Sequence, residues 1–186
     1  RSVAKAIEHV APGHDVFVTS DPARVAAAER VVFPGQGAMP DCMRELETRG
    51  LRAAVLEAAA SKPFLGICIG QQMLFERSAE GEVAGLGILP GDVQRFPAER
   101  MKAADGSRLK VPHMGWNEVR QCGPHALWEG IPDGERFYFV HSYAATEWTL
   151  EGRDAATAPL VTWAEHGERF VAAVENGPLC ATQFHP

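Results

Sequence analysis

Two residues of this chain could do covalent chemistry together. Cys68 stands between glycines in Gly66-Ile67-Cys68-Ile69-Gly70, and His185 ends the last apolar run in Ala181-Thr182-Gln183-Phe184-His185-Pro186. A thiolate can attack a carbonyl, and an imidazole within reach can take the thiol proton and return it to a leaving amine. G-x-C-x-G is the thiol counterpart of the nucleophile elbow, in which flanking glycines let a strand turn sharply into a helix. That turn would raise Sγ at the carboxyl edge of a sheet, near a helix N-terminus whose dipole favours thiolate. A buried structural cysteine between ordinary strand-end glycines is the competing reading. The apolar run before Cys68, the helix-type Gln71-Gln72-Met73-Leu74-Phe75 after it, and a histidine at another strand end favour the nucleophile. An oxyanion would need donors. The amide of Ile69 is one candidate and the loop Pro34-Gly35-Gln36-Gly37 the other, although that loop also reads as a plain strand-to-helix turn. His9, His14, His125 and His166 read as solvated or core-satisfied side chains.

The elements that must position these groups alternate in type. Residues 1–10 read as a helix with Val3, Ala6, Ile7 and Val10 on one face. Residues 15–19 read as a strand, 22–28 as a short helix and 30–33 as a second strand. Residues 41–61 read as two helical pieces broken at Gly50. The Phe64 strand follows, then Cys68 and a helix to about Arg77. Such alternation implies a parallel sheet with helices on both faces and ligands at the strands' carboxyl edge. The second half reads as closely spaced strands at 93–96, 109–111, 137–140, 160–164, 170–175 and 179–184. Turn signals at Asp105-Gly106, Asp133-Gly134, Gly167-Glu168 and Asn176-Gly177 make these antiparallel hairpins.

Composition bounds the partners. The 186 residues suit one domain with a proper core, and 46% hydrophobic with 23% charged residues is ordinary for a globular protein. A net charge of −6 without a basic stripe argues against nucleic acid or an anionic membrane as partner. No apolar run approaches spanning length and no signal peptide is visible. The four cysteines (Cys42, Cys68, Cys122, Cys180) are widely spaced and no histidines cluster at zinc-ligand spacing. A reduced, cytoplasmic protein with one reactive thiol fits better than a disulfide scaffold or a metal site. Arg1 opens within a helix and Pro186 follows directly on a strand, so a first strand and a C-terminal tail are expected beyond these ends.

Four segments together resemble a known family. The elbow Gly66-Ile67-Cys68-Ile69-Gly70-Gln71-Gln72 and Gln183-Phe184-His185-Pro186 are similar to the class I (triad-type) glutamine amidotransferases. Lys110-Val111-Pro112-His113-Met114-Gly115-Trp116-Asn117-Glu118-Val119 and Phe137-Tyr138-Phe139-Val140-His141-Ser142-Tyr143 resemble, more narrowly, the glutaminase (HisH) subunits of imidazole glycerol phosphate synthase. The resemblance spans essentially the whole chain, as one amidotransferase domain over residues 1–186. It implies an α/β, flavodoxin-like three-layer sandwich with a mostly parallel central sheet and antiparallel hairpins in the C-terminal half.

The same resemblance implies roles. Cys68 would form a γ-glutamyl thioester with L-glutamine, and His185 would act as general base and acid. The family's orienting glutamate falls two positions after that histidine, beyond Pro186. Gln36, Gly37 and Ile69 would serve the oxyanion, with Gln36 where the family commonly has a small aliphatic residue. Gly35, Gln72, His141, Ser142 and Tyr143 would meet the substrate, the last three chiefly through backbone. Trp116, Asn117, Tyr138 and His141 would face a (βα)₈-barrel cyclase, HisF, in a heterodimer in which the ammonia passes to the cyclase. Core packing is the competing reading for Trp116 and Tyr138. No cofactor or metal is implied. The rivals are another class I amidotransferase subunit, against which Gly115-Trp116-Asn117 argues, a cysteine hydrolase of different substrate, and a non-enzymatic interaction subunit.

Overall fold

The computed structural model describes residues 2–103, 105–146 and 160–185. The first helix, α1 (Ser2–Val10), half-buries Val3, Ala6 and Ile7, whereas Val10 stays exposed. Arg1 lies outside the described residues. The expected strand at 15–19 does not form. An extended segment becomes a strand only with a ladder partner, and none of its residues pairs with another strand. Phe17 and Val18 are left exposed.

Helix α2 (Pro22–Ala27) starts where the Asp21 carboxylate accepts from the Ala23 amide at 2.9 Å, with Pro22 at the first position. Strand β1 (Val31–Gly35) leads into α3 (Met39–Thr48), which buries Met39, Met43 and Leu46 on one stripe. Gly50, at φ +64°, ends that helix as expected, and α4 (Arg52–Ser61) buries Ala54, Val55, Ala58 and Ala59. The small alanine face lets α2 and α4 pack closely.

Strand β2 (Phe64–Cys68) runs directly into α5 (Ile69–Gln72). Here the expected helix to Arg77 is cut to one turn. The carbonyls of Met73, Leu74 and Phe75, which would accept from amides four residues on, accept instead from Leu86, Ile88, Leu89 and Gly87 of a returning loop. Tertiary hydrogen bonds have replaced helical ones. The short strands β3 (Arg77–Ser78) and β4 (Val83–Ala84) follow, then β5 (Asp92–Arg95).

The segment 109–111 is not a strand; the Leu109 amide bonds the Met101 carbonyl within a loop. The strand lies just after it, as β6 (His113–Glu118), paired antiparallel with β7 (Arg136–His141). Between them is a short 3₁₀ turn (Ala126–Trp128). Then come β8 (Tyr143–Ala145), β9 (Leu160–Glu165), β10 (Arg169–Asn176) and β11 (Leu179–Thr182). The turns at Gly167-Glu168 and Asn176-Gly177 make the expected hairpins β9–β10 and β10–β11.

The main sheet has the order β1-β2-β11-β10-β9. β2 is parallel to β1 and to β11, while β11–β10 and β10–β9 are antiparallel. A smaller sheet β4-β3-β5-β8 and the β6–β7 ribbon complete the fold. One apolar core packs around β2, and a second, aromatic one lies between β7 and β10. Register places Gly35 beside Cys68 and Thr182 beside Ile67. The carboxyl ends of three parallel strands therefore meet at the elbow. Among the described residues no helix is long and apolar enough to cross a membrane.

Candidate active site

Cys68 has φ +56° and ψ −114°, a conformation that costs a non-glycine residue energy and persists only where its surroundings enforce it. The enforcement is close packing through glycine. A Cβ on Gly70 would lie 1.8 Å from the Phe33 carbonyl oxygen, and one on Gly35 would lie 2.6 Å from the Ile69 Cβ. One on Gly66 would stand 3.0 Å from the Ala181 Cβ. The glycines of the motif thus serve the approach of β1 and β11 as much as the turn itself.

The thiol is 5% exposed, and burial pushes its pKa up to about 11. The Ile69 backbone and the Gln183 amide pull the other way. The expected dipole assistance is small, because α5 is a single turn; burial wins and the thiol rests protonated. The Gln183 Nε2 donates to Sγ at 3.8 Å. His185 lies two residues further along, half-buried, its amide bonded to the Tyr138 carbonyl at 3.0 Å. The chain has left β11 by then and crosses to β7. Cys68 and His185 thus reach the same end of the sheet but share no hydrogen bond.

Gln36 and Gly37, expected at the oxyanion, follow β1 directly, with Gly37 at φ +91°. The Gln36 carbonyl accepts from the Cys42 Sγ at 3.3 Å. Gln72 is fully buried behind the elbow, its Nε2 donating to the Tyr143 carbonyl at 3.0 Å and to the Gln183 Oε1 at 2.9 Å.

A histidine cluster that sequence reasoning passed over lies behind Tyr143. His113 Nδ1 and His141 Nε2 are 3.2 Å apart, and His141 Nδ1 is 2.9 Å from the Tyr143 carbonyl oxygen. His166 stacks on His113 at 4.2 Å between ring centres. Burial drives both pKa values down, to about 3 for His113 and about 4 for His141, with neighbouring histidines adding to the drop. The two rings are neutral. The side chain of His141 is thus committed to the interior, leaving its backbone as the part that could meet a substrate. His113, Met114, Trp116 and Asn117 alternate along β6, which would have signalled a half-buried strand with an inward histidine.

The outward face of the β6–β7 ribbon is apolar. Met114 pairs with Val140 and Trp116 with Tyr138, and all four are exposed, Trp116 by 68%. Trp116 and Tyr138 are therefore not core aromatics. Asn117 points to the other face, bonding His113 and the Glu165 carbonyl. A cleft of about 300 Å³ beside the ribbon is lined by Trp116, Asn117, Arg136, Trp163 and Arg169, away from the elbow. Among the described residues no group of three or more His, Cys, Asp or Glu could hold a metal ion.

Comparison with known proteins decides the family. The profile of Glutamine amidotransferase class-I matches residues 6–186. The imidazole glycerol phosphate synthase subunit HisH of Aromatoleum aromaticum is 69% identical over 186 residues, covering 100% of this chain and 84% of that protein. The HisH subunit of Dechloromonas aromatica is 65% identical over 187 residues, covering 100% and 83%. The chain belongs to the HisH family of class I glutamine amidotransferases.

Solved structures agree on the fold. A crystal structure of a glutamine amidotransferase superposes with a TM-score of 0.68 at 17% identity, over 100% of this chain and 84% of the other. The acivicin-bound glutaminase domain of Trypanosoma brucei CTPS gives 0.67 at 18%, over 100% and 79%. At such identities the likeness is one of fold. In this amidotransferase the strained Cys68 lies beside Gly35 at the carboxyl end of the parallel strands.

Proposed function

We propose that the chain is the glutaminase subunit of imidazole glycerol phosphate synthase, with Cys68 as nucleophile and a (βα)₈-barrel cyclase, HisF, as partner. The observation that carries this reading is the enforced elbow at Cys68 in a chain 69% identical to a HisH subunit. The Cys68 sulfur attacks the side-chain carboxamide carbon of glutamine as His185 takes the thiol proton. Backbone N–H groups of Gly37 and Ile69 receive the developing oxyanion. The tetrahedral adduct expels ammonia, protonated by His185, and leaves a γ-glutamyl thioester. Water, deprotonated by His185, then hydrolyses the thioester to glutamate and restores the thiol. In this reading the backbone at His141, Ser142 and Tyr143 holds the substrate, and Gln72, fully buried behind the elbow, supports it from within.

The resting geometry supports a gated enzyme. A buried thiol with a pKa of about 11 and a base out of bonding contact is a poor nucleophile. The exposed Met114, Trp116, Tyr138 and Val140 offer a docking face for the partner, on the ribbon that also holds His185 through Tyr138.

The test compares glutamine-dependent and ammonia-dependent product formation by the complex, for the parent chain and Cys68→Ala. The variant should lose the first reaction and keep the second. Glutaminase turnover of the parent should be weak alone and rise with partner and its ligand. A Cys68→Ala complex still using glutamine would overturn the assignment.

A further inference from the structure

We propose that Gln183 is a hydrogen-bond donor that stabilises the Cys68 thiolate, and that Gln72 positions it by fixing which way its amide faces. The inference rests on Cys68 as the nucleophile. It concerns how the fold readies that sulfur and does not depend on the substrate.

The direction of the chain follows from donor and acceptor rules. The Tyr143 carbonyl can only accept, so the group of Gln72 that faces it at 3.0 Å must be the NH₂. That NH₂ also faces Gln183 at 2.9 Å, so the Gln183 atom there must be its oxygen. The Gln183 NH₂ is then turned to the sulfur at 3.8 Å, a long contact suited to a large acceptor. Reversing Gln183 would set its NH₂ against the NH₂ of Gln72 and its oxygen against the sulfur of Cys68. Reversing Gln72 as well would place its oxygen against the Tyr143 carbonyl. Only one arrangement satisfies every contact.

Its cost is visible. Gln72 Oε1 is left buried with no donor. A buried acceptor without a partner is expensive, and the other arrangements would add a clash between like groups to that cost.

The Tyr143 carbonyl is itself held. His141 Nδ1 lies 2.9 Å from it and must donate, which makes His141 Nε2 an acceptor for the His113 Nδ1–H. His113 Nε2 then accepts from Asn117, whose NH₂ also bonds the Glu165 carbonyl at 2.7 Å while its oxygen accepts from the Glu118 amide at 2.9 Å. Every tautomer and flip along Asn117–His113–His141–Tyr143–Gln72–Gln183 is therefore set by backbone groups at the Asn117 end and by the Tyr143 carbonyl in the middle. Both glutamines are fully buried, so water does not compete for the donor. Among the described residues the other hydrogen-bonding group at the Cys68 sulfur is the Ile69 backbone.

The experiment reads the Cys68 thiol directly. The rate of iodoacetamide alkylation at Cys68 is followed by mass spectrometry against pH, apart from the three other free cysteines. Gln183→Met removes the donor at similar volume; Gln183→Glu keeps the acceptor for Gln72 but turns an anion to the sulfur. The thiol pKa should rise by about one unit in Gln183→Met, roughly a tenfold loss of thiolate below both values, and further in Gln183→Glu. Gln72→Met, which frees the Gln183 amide to turn, should shift it in the same direction by less. A folded Gln183→Met or Gln183→Glu protein with the parent profile would overturn the proposal. A substrate other than glutamine would leave these profiles as stated. If no Gln183 variant folds, the parent decides: in ¹⁵N-glutamine-labelled protein one side-chain amide should titrate with the Cys68 midpoint. That signal should vanish in Cys68→Ala, and its absence in the parent would refute the donor.

Discussion

Cys68 shows how much one strained residue asks of its neighbours. Its positive φ is held because β1, β2 and β11 close on the elbow through glycines at 35, 66 and 70. Gly70 is the least replaceable, since a methyl there would overlap a backbone oxygen that cannot swing aside. Gly70→Ala should therefore destabilise the protein by about 3 kcal/mol or more in denaturant titration and disrupt Cys68 alkylation. Gly123→Ala, where a Cβ meets nothing within 4 Å, should stay within about 1 kcal/mol of the parent. Equal stability of the two variants would mean that the elbow is looser than its contacts imply. At this scale the sequence told the identity of the chemistry but not its resting state. G-x-C-x-G announces a sharp turn at a thiol, yet whether that thiol is ionised depends on burial, which no local pattern records. Gln183 went unnoticed for the same reason. Its neighbour in the parallel pairing is reached only when β11 is laid against β2.

At the scale of elements, the β6–β7 ribbon matters most for assembly. It turns His113, Asn117 and His141 inward and Met114, Trp116, Tyr138 and Val140 outward. Alternation of this kind separates a buried polar chain from an exposed apolar face with a period of two residues. Trp116→Asp together with Tyr138→Asp should leave the folded protein's melting temperature within a few degrees, because both side chains are solvent-facing already. If the proposed cyclase docks on this face, the same pair should weaken its binding by roughly a hundredfold or more, as expected for central aromatic anchors, measurable by titration calorimetry. Unchanged affinity would place the partner elsewhere. The elements whose limits were misjudged from sequence share a cause. Residues 15–19 have β propensity but no ladder partner, and residues 73–75 have helix propensity but give their carbonyls to the 86–89 loop. In each case long-range hydrogen bonding overrode local preference.

Across the whole molecule, the buried histidines tie stability to pH. Both His113 and His141 are held neutral, with pKa values lowered to about 3 and about 4 against an ordinary 6.5. The unfolded chain then binds more protons than the folded one between those values and 6.5, so stability rises with pH across that window and is lost as pH falls through it. Between about pH 4 and 6 the pair should contribute a slope of up to ~2.7 kcal/mol per pH unit. Urea midpoints measured from pH 7 to 5 should drop accordingly, and His113→Asn should flatten the dependence; a pH-independent midpoint would contradict neutral burial. What the sequence determined by itself was local or modular: the elbow, the hairpin turns at Gly167 and Asn176, the α/β class, and the resemblance carried by four short motifs. Turn chemistry and hydrophobic period are properties of a few adjacent residues, so they survive being read without coordinates. Only the tertiary structure decided what lies across space from Cys68. It set Gln183 on the sulfur, left His185 beside Tyr138, and buried His113 and His141 behind the Tyr143 carbonyl. Those outcomes turn on desolvation and on which donor meets which acceptor, and both are fixed only when distant strands are brought into register.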